Sequence, residues 1–335
     1  MKILITGGLG TIGSCLASRL LSSGNEVVIY DNMEIGNLNN LKVYLSDQEI
    51  QKIKIIRKDI LDKDHISFVI SNCEMVYHLA ATLGTLNVVS QPSRMLNVNS
   101  LGTHNVADLC VSKGVPLVIM SSSMVYGQND KDKVLETDDL FVGGDVKIGL
   151  WWYAVSKLAD EAYINSLIFE NPDAKLMIIR PFNVIAPVQS HIVGFVFPRF
   201  FRSAYLNEPL KVYGDGNQKR TFTWAPDFVD CLLLLVEKGS WRDTFNIGGT
   251  ESTTILDLAK KIIKISNSKS EIVLTDPQDL FKGQFVEIPQ RVPDVRRLND
   301  MIGTAPSTSL DKMLSNFNEF YSALIFKPDD DLSRY

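Results

Sequence analysis

The sequence predicts an α/β protein with a doubly wound parallel sheet and a smaller C-terminal lobe of mixed α/β structure. Short runs rich in Ile, Val and Leu alternate with amphipathic stretches through the first half of the chain. Such runs are typical of parallel strands covered on both faces, and their alternation with helical patterns indicates right-handed βαβ units. The predicted strands are 3–6, 26–30, 54–57, 75–78, 117–121 and 176–180, and the clearest predicted helices are 12–23, 99–113 and 153–170.

The pattern changes after about Pro181, where turn signals separate shorter elements. One of these signals is the run Tyr213-Gly214-Asp215-Gly216-Asn217, and five further prolines punctuate the same region: Pro187, Pro198, Pro209, Pro226 and Pro293. We therefore predict a first domain over residues 1–181, with some later strands returning to its sheet. A second lobe follows over residues 182–325, and residues 326–335 form a charged tail that we expect to fray.

Composition narrows the class of protein. The net charge is -5, and Lys and Arg are scattered, which gives no electrostatic case for nucleic-acid binding. Cys15, Cys73, Cys110 and Cys231 lack paired spacing, so we expect buried reduced thiols and no metal site. No apolar run approaches the roughly 20 residues needed to cross a bilayer. Because the chain opens on a predicted strand and not on a signal peptide, we expect a cytoplasmic protein.

A glycine-rich loop, Gly7-Gly8-Leu9-Gly10-Thr11-Ile12-Gly13, joins the first predicted strand to the first predicted helix. Glycines permit the tight turn, let the backbone approach a pyrophosphate and let the helix pack closely on the strand. The helix N-terminus then presents free N–H groups to the phosphates. Because a strand precedes the loop and a helix follows it, the loop predicts a Rossmann-type dinucleotide site. Its binding residues would be Gly7, Gly10, Thr11, Ile12 and Gly13.

The second predicted strand leads to Asp31, 18 residues after Gly13. A carboxylate at this point can accept hydrogen bonds from both adenosine-ribose hydroxyls and would repel a 2′-phosphate, so NAD is favoured over NADP. Asn32 and Met33 follow, with no Arg to neutralise a phosphate. The alternative is a solvated Asp beside a helix turn that binds no phosphate.

A candidate acid–base pair lies on the helix predicted over 153–170. Tyr153 and Lys157 are four residues apart and therefore share one helix face. An unperturbed tyrosine, with a pKa of about 10, is a poor base at neutral pH, but a nearby ammonium favours the phenolate. Ser121-Ser122-Ser123 follows another predicted strand, where a hydroxyl could share the proton of a reacting oxygen. Taken alone, the Tyr153/Lys157 spacing and the serine run each also fit a structural role. The serine run, for example, could form a helix cap or a turn.

Taken together, these motifs resemble the extended short-chain dehydrogenase/reductases, specifically the NAD-dependent epimerases and dehydratases of nucleotide sugars. The resemblance covers roughly residues 1–325. Beyond the loop, Asp31, the serines and the Tyr153/Lys157 pair, it rests on Asp59-Ile60, His78-Leu79-Ala80-Ala81, Asn99, Gly102-Thr103, Arg180-Pro181-Phe182-Asn183-Val184, Val212-Tyr213-Gly214-Asp215-Gly216, Arg220, Phe245-Asn246-Ile247-Gly248-Gly249 and Arg291-Val292-Pro293-Asp294.

The resemblance implies an NAD-binding first domain and a sugar-nucleotide-binding second lobe. Asp59 and Ile60 would hold the adenine, and Asp59 would accept from its amino group. Lys157 would also hold the nicotinamide ribose. The other implied cofactor contacts are Asn32, Leu79, Ala80, Ala81, Asn99 and Tyr153.

On the substrate side, the resemblance implies that Ser122 is the catalytic Ser/Thr and that Ser123 lies beside it. Asn183 would contact the sugar-nucleotide phosphates. Arg220 and Arg291 would clamp the diphosphate, a task that suits the bidentate fork of arginine. Without the resemblance, both arginines would be ordinary surface residues. Family members commonly dimerise through helices like those predicted over 99–113 and 153–170, which implies a homodimer.

The family shares a first step, oxidation of the sugar at C4, and its members differ in the later steps. In 4,6-dehydratases an Asp-Glu pair follows the catalytic Ser/Thr, whereas here Ser123 and Met124 stand in those positions. UDP-glucuronate decarboxylases resemble this chain around Trp151-Trp152-Tyr153 but usually carry Glu where Met124 stands. A 4-epimerase needs no further acid or base. Epimerisation of a UDP-hexose is therefore our first expectation, with decarboxylation or another 4-keto conversion as the alternative. A catalytically silent NAD- or sugar-nucleotide-binding protein is the second alternative.

Overall fold

The computed structural model describes residues 1–84, 88, 90–140, 143, 148–190, 194–278 and 283–325. The tail predicted over residues 326–335 lies outside this set. The strands, in chain order, are β1 Lys2–Thr6, β2 Glu26–Asp31, β3 Lys54–Arg57, β4 Met75–His78, β5 Leu117–Met120, β6 Leu176–Pro181, β7 Val184–Ile185, β8 Leu210–Tyr213, β9 Lys219–Thr221, β10 Thr223–Trp224, β11 Asp243–Ile247, β12 Ser252–Thr254, β13 Ile272–Thr275 and β14 Gln290–Arg291.

The helices complete the described elements. In chain order they are α1 Thr11–Ser22, α2 Asn39–Lys42, α3 Asp47–Ile50, α4 Lys63–Ile70, α5 Pro92–Leu96, α6 Gly102–Lys113, α7 Gly149–Glu170, α8 Val196–Tyr205, α9 Ala225–Glu237, α10 Ile255–Ile265, α11 Arg296–Ile302 and α12 Leu310–Ile325. A π-helical turn, Asn97–Leu101, precedes α6, and a 3-10 turn, Ser123–Tyr126, follows β5.

A seven-stranded parallel sheet in the order β11-β6-β5-β4-β1-β2-β3 forms the centre of the molecule. The six predicted strands are all present, each with ends within one residue of the prediction. The doubly wound α/β fold is therefore confirmed. The chain runs outward from β1 in both directions, so the crevice at the carboxyl ends of β1 and β4 is the topological switch point, where such folds bind ligands.

Helices cover both faces of this sheet. Helices α1 and α9 pack on one face, against side chains such as Ile5 and Ile29. Helices α4, α6 and α7 pack on the other, against neighbours in the same strands such as Leu4 and Val28. Burial on both faces explains why the strands are continuously apolar. Strand β11 pairs with β6, so the first sheet contains a segment from well beyond residue 181.

The second lobe has its own apolar core. Phe197 and Phe201 of α8 pack with Phe317 of α12, and the rings of Phe201 and Phe317 stack with centroids 5.4 Å apart. Among the described residues, three small sheets accompany this core, and one of them places β9 between β12 and β14. The domain limits at 181 and 325 stay a prediction.

Helix α7 begins four residues earlier than the predicted Tyr153. Its first turn includes Gly149, whose backbone N–H donates to the side-chain oxygen of Gln284 at 2.8 Å. That partner satisfies a helix N-terminal group that would otherwise need solvent. The contact joins the first domain to the second lobe, and a residue 135 positions away cannot be anticipated from a local pattern.

A buried ion pair ties α7 to the carboxyl ends of β5 and β6. The Arg180 guanidinium donates to both carboxylate oxygens of Glu161, at 2.8 and 2.6 Å, and both side chains are about 95% buried. Ser121 also donates to Glu161, and Arg180 donates to the Tyr126 hydroxyl at 2.8 Å. The network therefore connects the strand ends that carry the serine run to the helix that carries Tyr153 and Lys157.

We predict that Glu161→Ala lowers the free energy of unfolding by about 3–5 kcal/mol, because it leaves the Arg180 guanidinium buried without a counter-charge. Urea denaturation followed by circular dichroism measures this change. Asp230→Ala is the control, since the Arg19–Asp230 pair is about half exposed and should contribute less than about 1 kcal/mol. Equal losses in the two variants would contradict the structural role of the buried pair.

Candidate active site

One large cavity, of about 550 Å³, opens at the carboxyl ends of the central strands and continues into the second lobe. On the sheet side it is lined by the glycine loop, the end of β2, the segment after β4 and the serine run after β5. On the lobe side it is lined by residues including Asn183, Arg220 and Arg291. The structure therefore brings nearly all the predicted site residues to one cavity.

The glycine loop has the geometry of a phosphate cradle. Gly7 has a φ of +68°, and a Cβ there would lie 2.7 Å from the backbone nitrogen of Ala80. A Cβ on Gly13 would lie 2.5 Å from the carbonyl oxygen of Gly7. By contrast, a Cβ on Gly10 would approach only the Gly7 oxygen, at 3.3 Å, so this point of the loop is less crowded. A pyrophosphate over the N-terminus of α1 therefore fits the loop.

Asp31 is fixed at the end of β2 by the backbone around it. Its carboxylate oxygens accept from the N–H groups of Leu9 and Met33, at 3.0 and 2.8 Å, and the side chain is buried at the cavity wall. Burial raises the pKa of Asp31, and the two backbone hydrogen bonds oppose that rise. Each oxygen keeps acceptor capacity for a ribose hydroxyl, so the residue suits the predicted role.

The expected adenine end of the cavity contains Asp59, Ile60 and Asn32. Asn32 donates to the Asp59 carboxylate at 3.0 Å, and Asp59 also accepts from the backbone of Leu61 at 3.0 Å. Glu34, which sequence reasoning missed, lines the same end and is held by Arg94 at 2.6 Å. The sequence gives no local signal for this pair, because the two residues are 60 positions apart.

Ser122, Tyr153 and Lys157 all line the middle of the cavity. The Ser122 oxygen accepts from the backbone N–H of Met124 at 3.2 Å, which leaves its own proton available for donation. The Lys157 ammonium is buried and donates to the carbonyl oxygen of Met120 at 3.1 Å. Tyr153 lies one turn before Lys157 on α7 and is only partly buried. A phenol, an ammonium group and a serine hydroxyl therefore line one space.

Two arginines form the cationic wall on the lobe side. Arg220 of β9 and Arg291 of β14 are register partners in parallel strands. Burial, with a further contribution from Arg220, lowers the pKa of Arg291 to about 9. The Arg291 guanidinium contacts the Met124 sulfur and donates to the Asn183 side-chain oxygen at 3.1 Å, while its Nε atom has no partner among the described residues. Two neighbouring, partly buried cations of this kind favour an anionic ligand.

Arg220 is already paired on one side. It donates to Glu287 at 2.9 Å, and Gln218 donates to the other oxygen of the same carboxylate at 3.2 Å. Sequence reasoning missed Glu287, which holds the guanidinium against the cavity wall. Asn183, between the arginines and β6, has a φ of +38° and donates to the carbonyl of Thr221 at 2.7 Å.

Two predicted cofactor contacts lie behind the cavity wall. Asn99 is fully buried, and its amide accepts from Thr82 N–H at 2.8 Å and donates to Thr82 C=O at 3.2 Å. Because the amide is used by the chain itself, Asn99 shapes the wall formed by Thr82. Gly13 likewise packs beneath the loop. The remaining predicted residues line the cavity directly: Gly7, Gly10, Thr11, Ile12, Leu79, Ala80, Ala81 and Ser123.

The cysteines and the other side chains able to bind a metal lie apart from one another in the part of the chain that the structure describes. All four cysteines are unpaired and buried. Across the described ranges, no cluster of three or more His, Cys, Asp or Glu side chains is arranged to hold a metal ion. Among the helices of those ranges, none combines the length and apolar character needed to cross a membrane.

The fold and the cavity define a dinucleotide-dependent enzyme in which a tyrosine and a lysine line the cavity. Residues 3–248 match the NAD dependent epimerase/dehydratase family, and the chain belongs to that family. The expected relationship to extended short-chain dehydrogenase/reductases is thereby confirmed. The cofactor is NAD, as Asp31 and the glycine loop predicted.

Named relatives include both decarboxylases and epimerases. The chain is 31% identical to a UDP-N-acetyl-alpha-D-glucosaminuronate decarboxylase of Bacillus cytotoxicus, over 96% of this chain and 97% of that protein. Among solved structures, it is similar to a UDP-glucuronic acid 4-epimerase of Bacillus cereus, with 26% identity, a TM-score of 0.82 and coverage of 97% and 100%. A UDP-glucose 4-epimerase of Thermotoga maritima gives 25% identity, a TM-score of 0.83 and the same coverage. These similarities establish an enzyme of this family, whose named members include both epimerases and decarboxylases.

We predict that Asp31→Ala weakens NAD binding by about 1–2 kcal/mol, the scale of hydrogen bonds to a charged group. The same change removes the repulsion of a 2′-phosphate, so the preference for NAD over NADP should narrow. Calorimetric titration of both cofactors measures the two effects separately. If the substitution only damaged the glycine loop, the binding of NAD and of NADP would weaken equally. Tighter binding of NADP than of NAD by the unchanged protein would contradict the role of Asp31.

Proposed function

We propose that this enzyme inverts the C4 configuration of a UDP-hexose through a 4-keto intermediate. The observation that carries the proposal is that Ser122, Tyr153 and Lys157 line the middle of one cavity, with Met124 at the position where an acid would assist elimination. A thioether can neither donate nor accept a proton in such a step. Epimerisation is the conversion that these residues can complete without a further acid or base.

The proposed roles follow from the contacts of each side chain. Tyr153, as phenolate, takes the proton of the C4 hydroxyl, and the Ser122 hydroxyl donates to the same oxygen. Lys157, held by the Met120 carbonyl, supplies the positive charge that favours the phenolate. The glycine loop and Asp31 would hold NAD, which would supply the hydride acceptor for C4 and the hydride donor for the opposite face of the 4-keto sugar. Arg220, Arg291 and Asn183 hold the diphosphate, so the sugar can turn over while the nucleotide stays in place.

Tyr153→Phe keeps the ring and removes only the hydroxyl. We predict that turnover falls by a factor of about 10²–10⁴, as is typical when a general acid–base group is lost, while the fold and NAD binding persist. Steady-state kinetics with UDP-hexoses, with circular dichroism as the fold control, measures this. Near-normal turnover would mean that another group is the base.

A substrate deuterated at C4 distinguishes the reaction types. In an epimerase the label returns to the carbon it left, so we predict an isomeric product that keeps the deuterium and has an unchanged mass. Mass spectrometry and NMR of the product give both readings. A product that has lost water, with a methyl group at C6, would show dehydration, and either that result or release of carbon dioxide would overturn the inference from Met124.

Decarboxylation of a UDP-hexuronate is the second candidate, because two observations favour it. The Bacillus cytotoxicus relative is named for such a reaction. In addition, Arg291 lies against Met124, and its Nε atom has no hydrogen-bond partner in the part of the chain that the structure describes, so it offers a cation close to the reacting sugar. Oxidation of a hexuronate at C4 gives a β-keto acid, which loses carbon dioxide readily. Carbon dioxide release from UDP-hexuronates, with no isomer formed from UDP-hexoses, would select this candidate.

We further propose that the protein is a homodimer that pairs α6 and α7 of two copies. Leu101, just before α6, and Val155, on α7, both expose apolar surface. Phe169, at the end of α7, is 87% exposed. Covering such side chains stabilises association. Light scattering at micromolar concentration would show a mass twice that of the chain, and a monomer at that concentration would count against the pairing.

A further inference from the structure

A buried carboxylate lies directly behind the catalytic lysine. Asp160 is on α7, three residues after Lys157, and only 1% of its surface is exposed. Its Oδ2 atom lies 3.5 Å from the Lys157 ammonium nitrogen. Neither carboxylate oxygen accepts a well-aligned hydrogen bond from the described residues. Buried charges are ordinarily both paired and hydrogen-bonded, so this placement needs an explanation.

Lys157 is the cation that balances the charge of Asp160, because the neighbouring groups described next are neutral or negative. Glu161, next on the helix, is held by Arg180 and Ser121 and adds a second negative charge nearby. Thr103 of α6 approaches from the neighbouring helix, and its hydroxyl contacts the His78 ring of β4 at 3.1 Å. Burial lowers the pKa of His78 to about 3, so this imidazole is neutral at working pH.

Burial makes the negative charge of Asp160 costly, and the Lys157 ammonium offsets part of that cost. Burial raises the pKa of Asp160 to about 6, against the lowering effects of Lys157 and Thr103. Above that pH the carboxylate is ionised and offsets part of the Lys157 charge. Lys157 is therefore held between a carbonyl oxygen, the Asp160 carboxylate and the cavity in which Tyr153 lies.

We propose that Asp160 is a positioning residue that holds Lys157 and, by offsetting its charge, sets the pH range over which Tyr153 can accept a proton. The proposal rests on the proposed role of Tyr153 as the base. No step is added to the reaction, because the proton still passes between the C4 oxygen and Tyr153.

The test is Asp160→Asn, which keeps the shape and removes the charge. The Lys157 ammonium is then uncompensated and favours the phenolate more strongly. We expect the acidic limb of the kcat/KM profile to move about one unit toward lower pH, within the range that a single close charge produces. We expect the basic limb to move the same way, since Lys157 loses the carboxylate that favours its charged form. Asp173→Asn, an exposed residue just beyond α7, is the control and should leave the profile unchanged.

A second measurement needs no turnover. The near-ultraviolet absorbance of tyrosinate, taken as the difference between each protein and its Tyr153→Phe counterpart, reports the pH at which Tyr153 ionises. We expect this midpoint to move to lower pH in Asp160→Asn, and also in Asp160→Ala, which serves if the first variant does not fold. A midpoint that stays in place or rises, with activity lowered equally at every pH, would overturn the proposal and leave Asp160 a packing residue. Absence of turnover with every UDP sugar would contradict the proposed function but not the role of Asp160. The absorbance would still report how Asp160 affects the ionisation of Tyr153.

Discussion

The buried ion pair between Glu161 and Arg180 is the interaction on which the rest of the site depends. It joins α7 to β6 and, through Ser121, to the end of β5. These elements carry Tyr153 and Lys157 on one side and Ser122 on the other. A proton can pass between a hydroxyl, a phenol and a substrate oxygen only at hydrogen-bonding distance, so the helix and the strand end must keep a fixed spacing. The ion pair supplies that spacing from within the protein, out of reach of solvent and salt.

The second constraint is the contact between the first domain and two strands of the second lobe, β9 and β14, each of which carries an arginine. Arg220 and Arg291 are brought side by side by the pairing of β9 with β14. Arg291 reaches the segment after β5 through Met124 and the segment after β6 through Asn183. The lobe that carries the two arginines is thus in contact with the segments that follow β5 and β6. This contact also separates the two candidate reactions. Arg291 can serve a diphosphate alone or a sugar carboxylate as well, whereas Met124 can serve neither as an acid nor as a base.

Local sequence patterns predicted the parts of the molecule that local physics determines. The parallel strands, the glycine loop, Asp31 and the Tyr153/Lys157 spacing all follow from residues close together in the chain. The early start of α7 could not be predicted, because Gln284 satisfies it from the other lobe. The position of Asn99 behind the wall depends equally on tertiary structure, since the backbone of Thr82 uses its amide. The register that pairs Arg220 with Arg291 joins two strands about 70 residues apart, and only the resemblance to a family suggested that they act together.

The central claim is that one cavity holds NAD over the glycine loop and a UDP sugar between Tyr153 and the two arginines. A crystal structure of the Tyr153→Phe protein with NAD and UDP-glucose tests it most directly. We expect the C4 oxygen of the sugar within hydrogen-bonding distance of the Ser122 hydroxyl. We also expect it beside the ring at position 153, one turn of α7 before Lys157. We expect the diphosphate to contact Arg220 and Arg291. A sugar bound with C4 away from Ser122, or a diphosphate that contacts neither arginine, would contradict the account.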